Sequence, residues 1–197
     1  DAYLEQAGKL SKARAKAATR FSQAVSAAMQ DLSMAGGRFE IALQPCEPAA
    51  HGLELVEFLV AGHAGTTPRP LAKVASGGEL ARISLAISVI ASSATATPTL
   101  IFDEVDSGIG GAVAEVVGRL LKRLGSERQV LCVTHLPQVA SQANQHFQVA
   151  KQSADGRTLS HIEALDAKAR VEEIARMLGG LEITATTRKH ARELLAS

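Results

Sequence analysis

Two short apolar runs, TLIF at 99–102 and QVLCV at 129–133, bracket a stretch in which Val113, Val116, Val117, Leu120, Leu121 and Leu124 fall on one helical face. Strand, helix, strand in that order leaves few arrangements open: two parallel neighbours in one sheet, joined by a right-handed crossover that starts near Ala112. Ligands of such sheets bind beyond the carboxyl ends of the strands. The residues that follow the two runs, Asp103-Glu104 and Thr134-His135, are therefore expected side by side at one edge. With 197 residues, 46% of them hydrophobic, the chain can bury one sizeable core, or a core plus a projecting element.

Residues 1–33 contain no proline, a single glycine and many alanines, which predicts one long helix. Ala7, Leu10, Ala17, Phe21, Ala24, Ala28 and Leu32 recur at helical spacing as a packing stripe, and Lys9, Lys12, Arg14, Lys16 and Arg20 make the opening turns basic. Such a helix either lies on the domain or is the stub of a coiled-coil arm returning into a globular head, and pattern alone supports both. Gly36-Gly37 ends it. RFEIALQ (38–44) and LELVEFLV (53–60) read as antiparallel strands separated by a loop that holds Pro45 and Pro48. Further on, FQVAK and TLSHIEAL flank a turn at Asp155-Gly156. A helix from about Arg170 to Leu178 stops at Gly179-Gly180, and Thr184 caps a last helix that ends near Leu195.

Lysine plus arginine (21) nearly balances aspartate plus glutamate (20), so global charge selects no class of partner. Cys46 and Cys132 have neither CxxC spacing nor a disulfide framework, which fits a reducing cytosol. No apolar run reaches membrane-spanning length. A chain that opens on Asp1 rather than methionine is expected to be part of something longer.

Three stretches carry chemistry. In Ser76-Gly77-Gly78-Glu79, glycines at a helix start expose amide N–H groups where the helix dipole favours a phosphate. A plain N-cap at Ser76, with Glu79 completing a capping box, explains the same residues and is compatible with that role. Asp103-Glu104 delivers two carboxylates to the strand end, one suited to hydrated Mg²⁺ and one to orienting water. Asp106, Gly108, Gly110 and Gly111 then make a loop richer in glycine than a strand-to-helix turn needs, which points to a nearby ligand or partner. His135 can reach a phosphate oxygen or simply end its strand. His51, His63, His146, His161 and His190 read as loop or surface residues.

The order SGGE, strand plus DE, strand plus His resembles the ABC-type ATPase head, with signature motif, Walker B, D-loop and switch histidine in sequence. Val105-Asp106 after the acids resembles the chromosome-maintenance, SMC-like branch. ASGGELARISLA, FDEVDSGIGG, VTHLPQVAS and EEIARMLGG…ITATTRKHARELL are similar to the RecN-like family of bacterial DNA-repair proteins, over nearly all of 71–197 and more loosely over the preceding helix. A signature starting with Ala75 rather than leucine fits that pattern.

The resemblance implies an α/β fold: the C-terminal lobe of an ABC-type ATPase head with a mainly parallel sheet (36–197), preceded by a returning coiled-coil helix (1–35). It implies ATP and Mg²⁺ as ligands, with Asp103 holding the metal through water and Glu104 as general base. His135 would contact the γ-phosphate, and Ser76, Gly77, Gly78 and Glu79 would meet ATP bound to a second head. Asp106 would tie the two sites together across the dimer. The implied partners are an N-terminal P-loop lobe of the same protein, a second head in a homodimer, and DNA, in a cytoplasmic, nucleoid-associated setting with no membrane contact. One departure stands out: there is no GxxxxGK[ST], since the only Gly-Lys pair, Gly8-Lys9, has Tyr3 where the first glycine belongs. The P-loop and glutamine loop are expected in the other lobe. The alternatives are a non-hydrolysing dimerisation or DNA-clamping module, which the intact Asp103-Glu104 pair disfavours, and a transporter nucleotide-binding domain, which Val105-Asp106 disfavours.

Overall fold

The computed structural model describes residues 2–74, 76–94, 97–154, 157–179 and 182–196. The alanine-rich start forms α1 (Ala2–Gln30). Its end is set by the Gln30 side chain, which accepts from Gly36 N at 2.8 Å and donates to Gly37 O at 3.0 Å. Gly36 takes φ +72°, and a Cβ there would fall 2.5 Å from the side chain of Ala64. The helix then reverses into β1 (Arg38–Ala49), which pairs antiparallel with β2 (Gly52–Ala61) from Arg38↔Ala61 to Pro45↔Glu54; a two-residue β3 (Arg69–Pro70) completes the sheet in order β1-β2-β3.

Two expectations are corrected here. Pro45 and Pro48 lie within β1 and not in a loop; the register shifts between Pro45 and Ala49, and β1 is an edge strand, where a missing N–H is tolerated. The packing stripe of α1 is also only partly the expected one: Ala7 and Leu32 are buried and Phe21 and Ala28 pack on the core, but the stripe shifts between them. Val25 and Met29 are fully buried, whereas Leu10 and Ala17 are exposed. The reason lies in β1's open edge: the Ser22 and Ser26 hydroxyls accept from Ile41 N (3.0 Å) and Phe39 N (2.8 Å), so the helix turns that face inward. Phe21 meets Phe39 edge-on at 6.2 Å. Near the other end, Tyr3 Oη accepts from Ala49 N and donates towards the carbonyls of Ala49 and Gly52, while Arg14 pairs with Glu54 at 3.4 Å. An apolar groove of about 430 Å³, lined by Ala17, Phe21, Ile41 and Phe58 among others, separates helix and sheet between these anchor points.

A 3₁₀ turn at Leu71–Lys73 leads to α2 (Gly77–Ile90), β4 (Thr99–Phe102), α3 (Gly111–Gly125) and β5 (Gln129–Cys132). β4 and β5 pair in parallel, in register from Thr99↔Gln129 to Phe102↔Cys132, as the crossover requires. Ala114, Val117, Gly118, Leu121 and Leu124 form the buried stripe of α3. They share one core with Val25 and Met29 of α1, Ile83 and Leu85 of α2, and Phe102 of β4. The helix that looked separable by sequence thus belongs, in its second half, to the core of the lobe. The opposite face of the parallel pair is open: Ile101, Leu131 and Val133 are 69%, 45% and 63% exposed.

A short α4 (Pro137–Ala140) precedes the antiparallel hairpin of β6 (Phe147–Ala154) and β7 (Arg157–Ala164); its anticipated turn at Asp155-Gly156 lies outside the described residues, as do Ala75 and Gly180. α5 (Ala167–Gly179) starts three residues earlier than its apolar pattern suggests, because Asp166 Oδ1 accepts from Ala169 N at 2.7 Å and caps it. Thr184 caps α6 (Ala185–Ala196) through Thr187 N at 3.1 Å, as expected. Ile174, Ala175 and Ala191 with Ala140 make a second, smaller core. Among the described residues there are three sheets, one parallel and two antiparallel. Among the described residues no helix is long and apolar enough to cross a membrane.

Candidate functional site

β4 leaves the core at the buried Phe102, and the chain turns at once. Asp103 Oδ1 accepts from Glu104 N at 2.9 Å, and Glu104 O accepts from Ser107 N at 3.0 Å. Glu104 sits at φ +57°, a left-handed conformation uncommon for a residue with a side chain. The consequence is a sorting of side chains: Asp103 and Glu104 face solvent, while Val105 and Asp106 are 0% and 2% exposed. Asp106 Oδ2 accepts from the Thr134 hydroxyl and from His135 N at 3.0 Å, and lies 3.2 Å from His135 Nδ1. One buried carboxylate therefore joins the ends of both parallel strands. The imidazole has its Nδ1 side towards this carboxylate, and the His135 side chain is 70% exposed.

The start of α2 leans on the same turn. Ser76 is its N-cap, accepting from Glu79 N at 3.3 Å. The Glu79 carboxylate points to His63, 3.7 Å away, so this loop histidine borders the site. A Cβ on Gly77 would come within 2.6 Å of Glu104 Oε2, and one on Gly78 within 3.0 Å of Ser107 O. Ser76, Gly77, Gly78, Asp103, Glu104, Asp106 and His135 are thus gathered at one edge of the molecule. Two further residues hold this edge together through contacts that their motifs do not announce. Thr134 bonds Asp106 from 28 positions away, and Arg82 Nη1 donates to Ser107 O at 2.8 Å from 25 positions away. A lone arginine inside the apolar run ARISLAI was the available signal.

The glycine-rich loop has a partly conformational origin. Gly108 and Gly111 adopt φ +72° and +52°, and a Cβ on Gly108, Gly110 or Gly111 would meet nothing within 4 Å. In this chain, then, these glycines answer to backbone conformation and open space rather than to close contact. Cys132, at the end of β5, has its thiol pushed up to about 12 by burial first, then by the negative charges of Asp106 and Asp103. On α1, Lys9 pairs with Glu5 at 2.6 Å and Arg14 with Glu54, so part of the basic stripe is neutralised locally.

The acids suit a hard cation of one particular kind. Among the described residues no three His, Cys, Asp or Glu side chains gather into a cage. Asp103 offers a solvent-facing carboxylate with one oxygen already oriented by Glu104 N. Mg²⁺, which keeps most of its waters and takes one or two carboxylates together with substrate phosphates, fits that donor set; a calcium-type cage does not.

No family model matches the chain. Among curated proteins, it is 50% identical over 196 residues to the DNA repair protein RecN of Xylella fastidiosa strain Temecula1, an alignment covering 98% of this chain and 35% of the relative. The RecN proteins of Vibrio cholerae (47% over 197 residues, 98% of this chain) and Deinococcus radiodurans (47% over 188 residues, 95% of this chain) align in the same way. Over nearly its whole length, the chain is RecN-like. It spans about a third of the length of the curated relatives it matches. Its fold is that of SMC heads. The Smc head domain with coiled coil and joint from Pyrococcus yayanosii superposes with a TM-score of 0.61 at 22% identity, covering 86% of this chain and 31% of that one. A chain from work on ATP-driven dimerization and DNA-stimulated activation of SMC ATPases gives 0.51 at 21% identity, covering 85% of this chain and 96% of that one.

Proposed function

We propose that this RecN-like lobe is the C-terminal half of an ATP-binding and hydrolysing head in an SMC-like protein of DNA double-strand-break repair, and that ATP-dependent pairing of two heads is coupled to DNA binding. The observation that carries the reading is the meeting, at one edge, of the Asp103-Glu104 turn, the Asp106-held His135 and the start of α2. The repair function named for the relatives supports its biological half, and is consistent with a protein that works on DNA in the cytoplasm.

Each residue has a role that its geometry permits. Glu104 is solvent-facing and free to accept a proton from an attacking water or to orient it. Its neighbour Asp103 would hold hydrated Mg²⁺, which would supply neutralisation of the charge on the phosphate oxygens. His135, whose backbone N is bonded to Asp106 and whose Nδ1 side faces that carboxylate, is placed to present Nε2 to a γ-phosphate. Ser76, Gly77 and Gly78, with Glu79 beside them, present amide donors at the N-terminus of a 14-residue helix to ATP held by a second head. Asp106, 2% exposed and bonded to Thr134 and His135 of its own chain, holds the two strand ends together; the tie across the dimer expected of it would require it to leave these partners. The amides and lysine that grip the β- and γ-phosphates belong to an N-terminal P-loop lobe of the same protein, and the open face of Ile101, Leu131 and Val133 is the surface on which it would pack. α1 is the returning end of the coiled-coil arm.

Glu104→Gln in the full-length protein tests the assignment. Nucleotide binding is expected to persist, turnover to fall about 10²–10⁴-fold, and paired heads to accumulate. Phosphate release and ATP-dependent sizing measure both, and wild-type turnover in the variant would overturn the role of the base.

A further inference from the structure

Arg82 lies one turn into α2, on the face that also buries Ile83, Leu85 and Ala86. It is 7% exposed. An aliphatic residue would satisfy that position, and burying a guanidinium without an ionic partner costs free energy. The cost here is incompletely offset: Nη1 donates to Ser107 O at 2.8 Å, while the buried Nε has no partner. Burial holds its pKa below the usual range, against an opposing pull from Glu79. Ser107 follows Asp106 directly, and its carbonyl is the same atom that a Cβ on Gly78 would approach to 3.0 Å. Arg82, Gly78 and Ser107 therefore form one seam between the phosphate-facing start of α2 and the turn whose buried acid holds His135.

We infer that Arg82 is a positioning residue that locks the D-loop to the start of α2, so that the end of the lobe facing the partner's nucleotide and the Asp106–His135 pair serving its own nucleotide move as one body. The inference rests on the head-pairing reading above. In a pair of heads, α2 of one chain completes the site of the other, whereas His135 and Glu104 serve the chain's own. A lock between them carries any shift of α2 on phosphate contact directly to the histidine and the acid turn. Positional errors of about 1 Å at a reacting centre are enough to cost on the order of 10²-fold in rate.

Mixed dimers of the full-length protein, isolated through two affinity tags, separate this from a local role. In each dimer one chain carries Glu104→Gln, so that only the other chain's site turns over. Arg82→Lys, which keeps the charge but loses the planar fork, goes into the hydrolysing chain, whose α2 contact comes from a partner with Arg82 intact. The expected result is a fall in kcat of about 10- to 100-fold with KM for ATP unchanged. Unchanged kcat in this arrangement, whether or not the reverse arrangement loses activity, would confine Arg82 to supporting its own helix and overturn the inference. Should Arg82→Lys melt below the assay temperature, Gly78→Ala in the hydrolysing chain presses on Ser107 O from the other side. It is expected to give the same loss in kcat, and no loss would equally overturn the lock. Failure of the wild-type dimer to hydrolyse ATP at all would instead sink the head-pairing reading, and shows before any variant is made.

Discussion

Glu104 and Asp106 stand two positions apart and meet opposite environments, one exposed at a left-handed turn and one 2% exposed under a threonine and a histidine. Their separation follows from the turn, which reverses the chain between them. Cys132, whose thiol feels Asp106 and Asp103, reports on the charge at this turn. Its thiol is raised from 9.0 to about 12, so the folded lobe keeps a proton that the unfolded chain releases above about pH 9. Fewer protons bound in the unfolded state means stability falls with rising pH. Between about pH 9 and about 12, urea melts of the wild type are expected to lose more stability than those of Cys132→Ala. Over the same window, iodoacetamide labelling of Cys132 in the folded lobe, followed by mass spectrometry, should rise without reaching a plateau. At this scale the acids were legible because they end an apolar run, and Ser76 because helix starts have a short chemical vocabulary. Thr134 as a partner of Asp106, and Arg82 as a partner of Ser107, were not legible, because contacts across 28 and 25 positions leave no periodic trace.

Apart from the short β3 and α4, which the sequence did not announce, helix and strand existence followed from periodicity; their faces and limits followed from hydrogen bonds that periodicity does not encode. α1 illustrates this. Its alanines allow several packing stripes of similar quality, and the choice of Val25 and Met29 comes from Ser22 and Ser26 meeting the open edge of β1. Pro45 and Pro48 suggested a loop, yet an edge strand with a shifted register accommodates them. The early start of α5 depends on a single Asp166 cap. The far end of α1 is held by Tyr3, whose hydroxyl bonds the backbone at the tip of the β1–β2 hairpin. Tyr3→Phe removes these bonds while keeping the ring. A loss of about 1 kcal/mol is expected, together with faster amide exchange in the first turns of α1 and at Ala49, and unchanged exchange around Val25. Exchange rates resolved by residue, alongside denaturant melts, check both parts.

At the scale of the whole molecule, the lobe has one face finished and one left open. The parallel strands are covered by α2 and α3 on one side and present Ile101, Leu131 and Val133 on the other. The chain also lacks the phosphate-gripping loop. Both features lead to the same expectation: the 197-residue lobe alone binds ATP poorly and does not hydrolyse it, since each missing preorganised donor is worth roughly 3 kcal/mol in rate. Adding an N-terminal lobe containing GxxxxGK[ST], in cis or in trans, is expected to restore turnover and to protect the open face from hydrophobic dyes. Calorimetry, phosphate release and dye fluorescence make the comparison, and robust Mg²⁺-dependent hydrolysis by the lobe alone would overturn it.

α1 is seated at both ends, by Val25 and Met29 in the core and by Tyr3 and Arg14 on the hairpin, with an apolar groove spanned between. A helix of 29 residues is about 43 Å long. Clamped in this way it is a rigid lever rather than a hinged flap: a tilt of the lobe by about 10° swings the helix tip through about 7 Å, with no slack at the joint to absorb it. Whatever is attached to that tip feels small rotations of the lobe as displacements the size of a side chain.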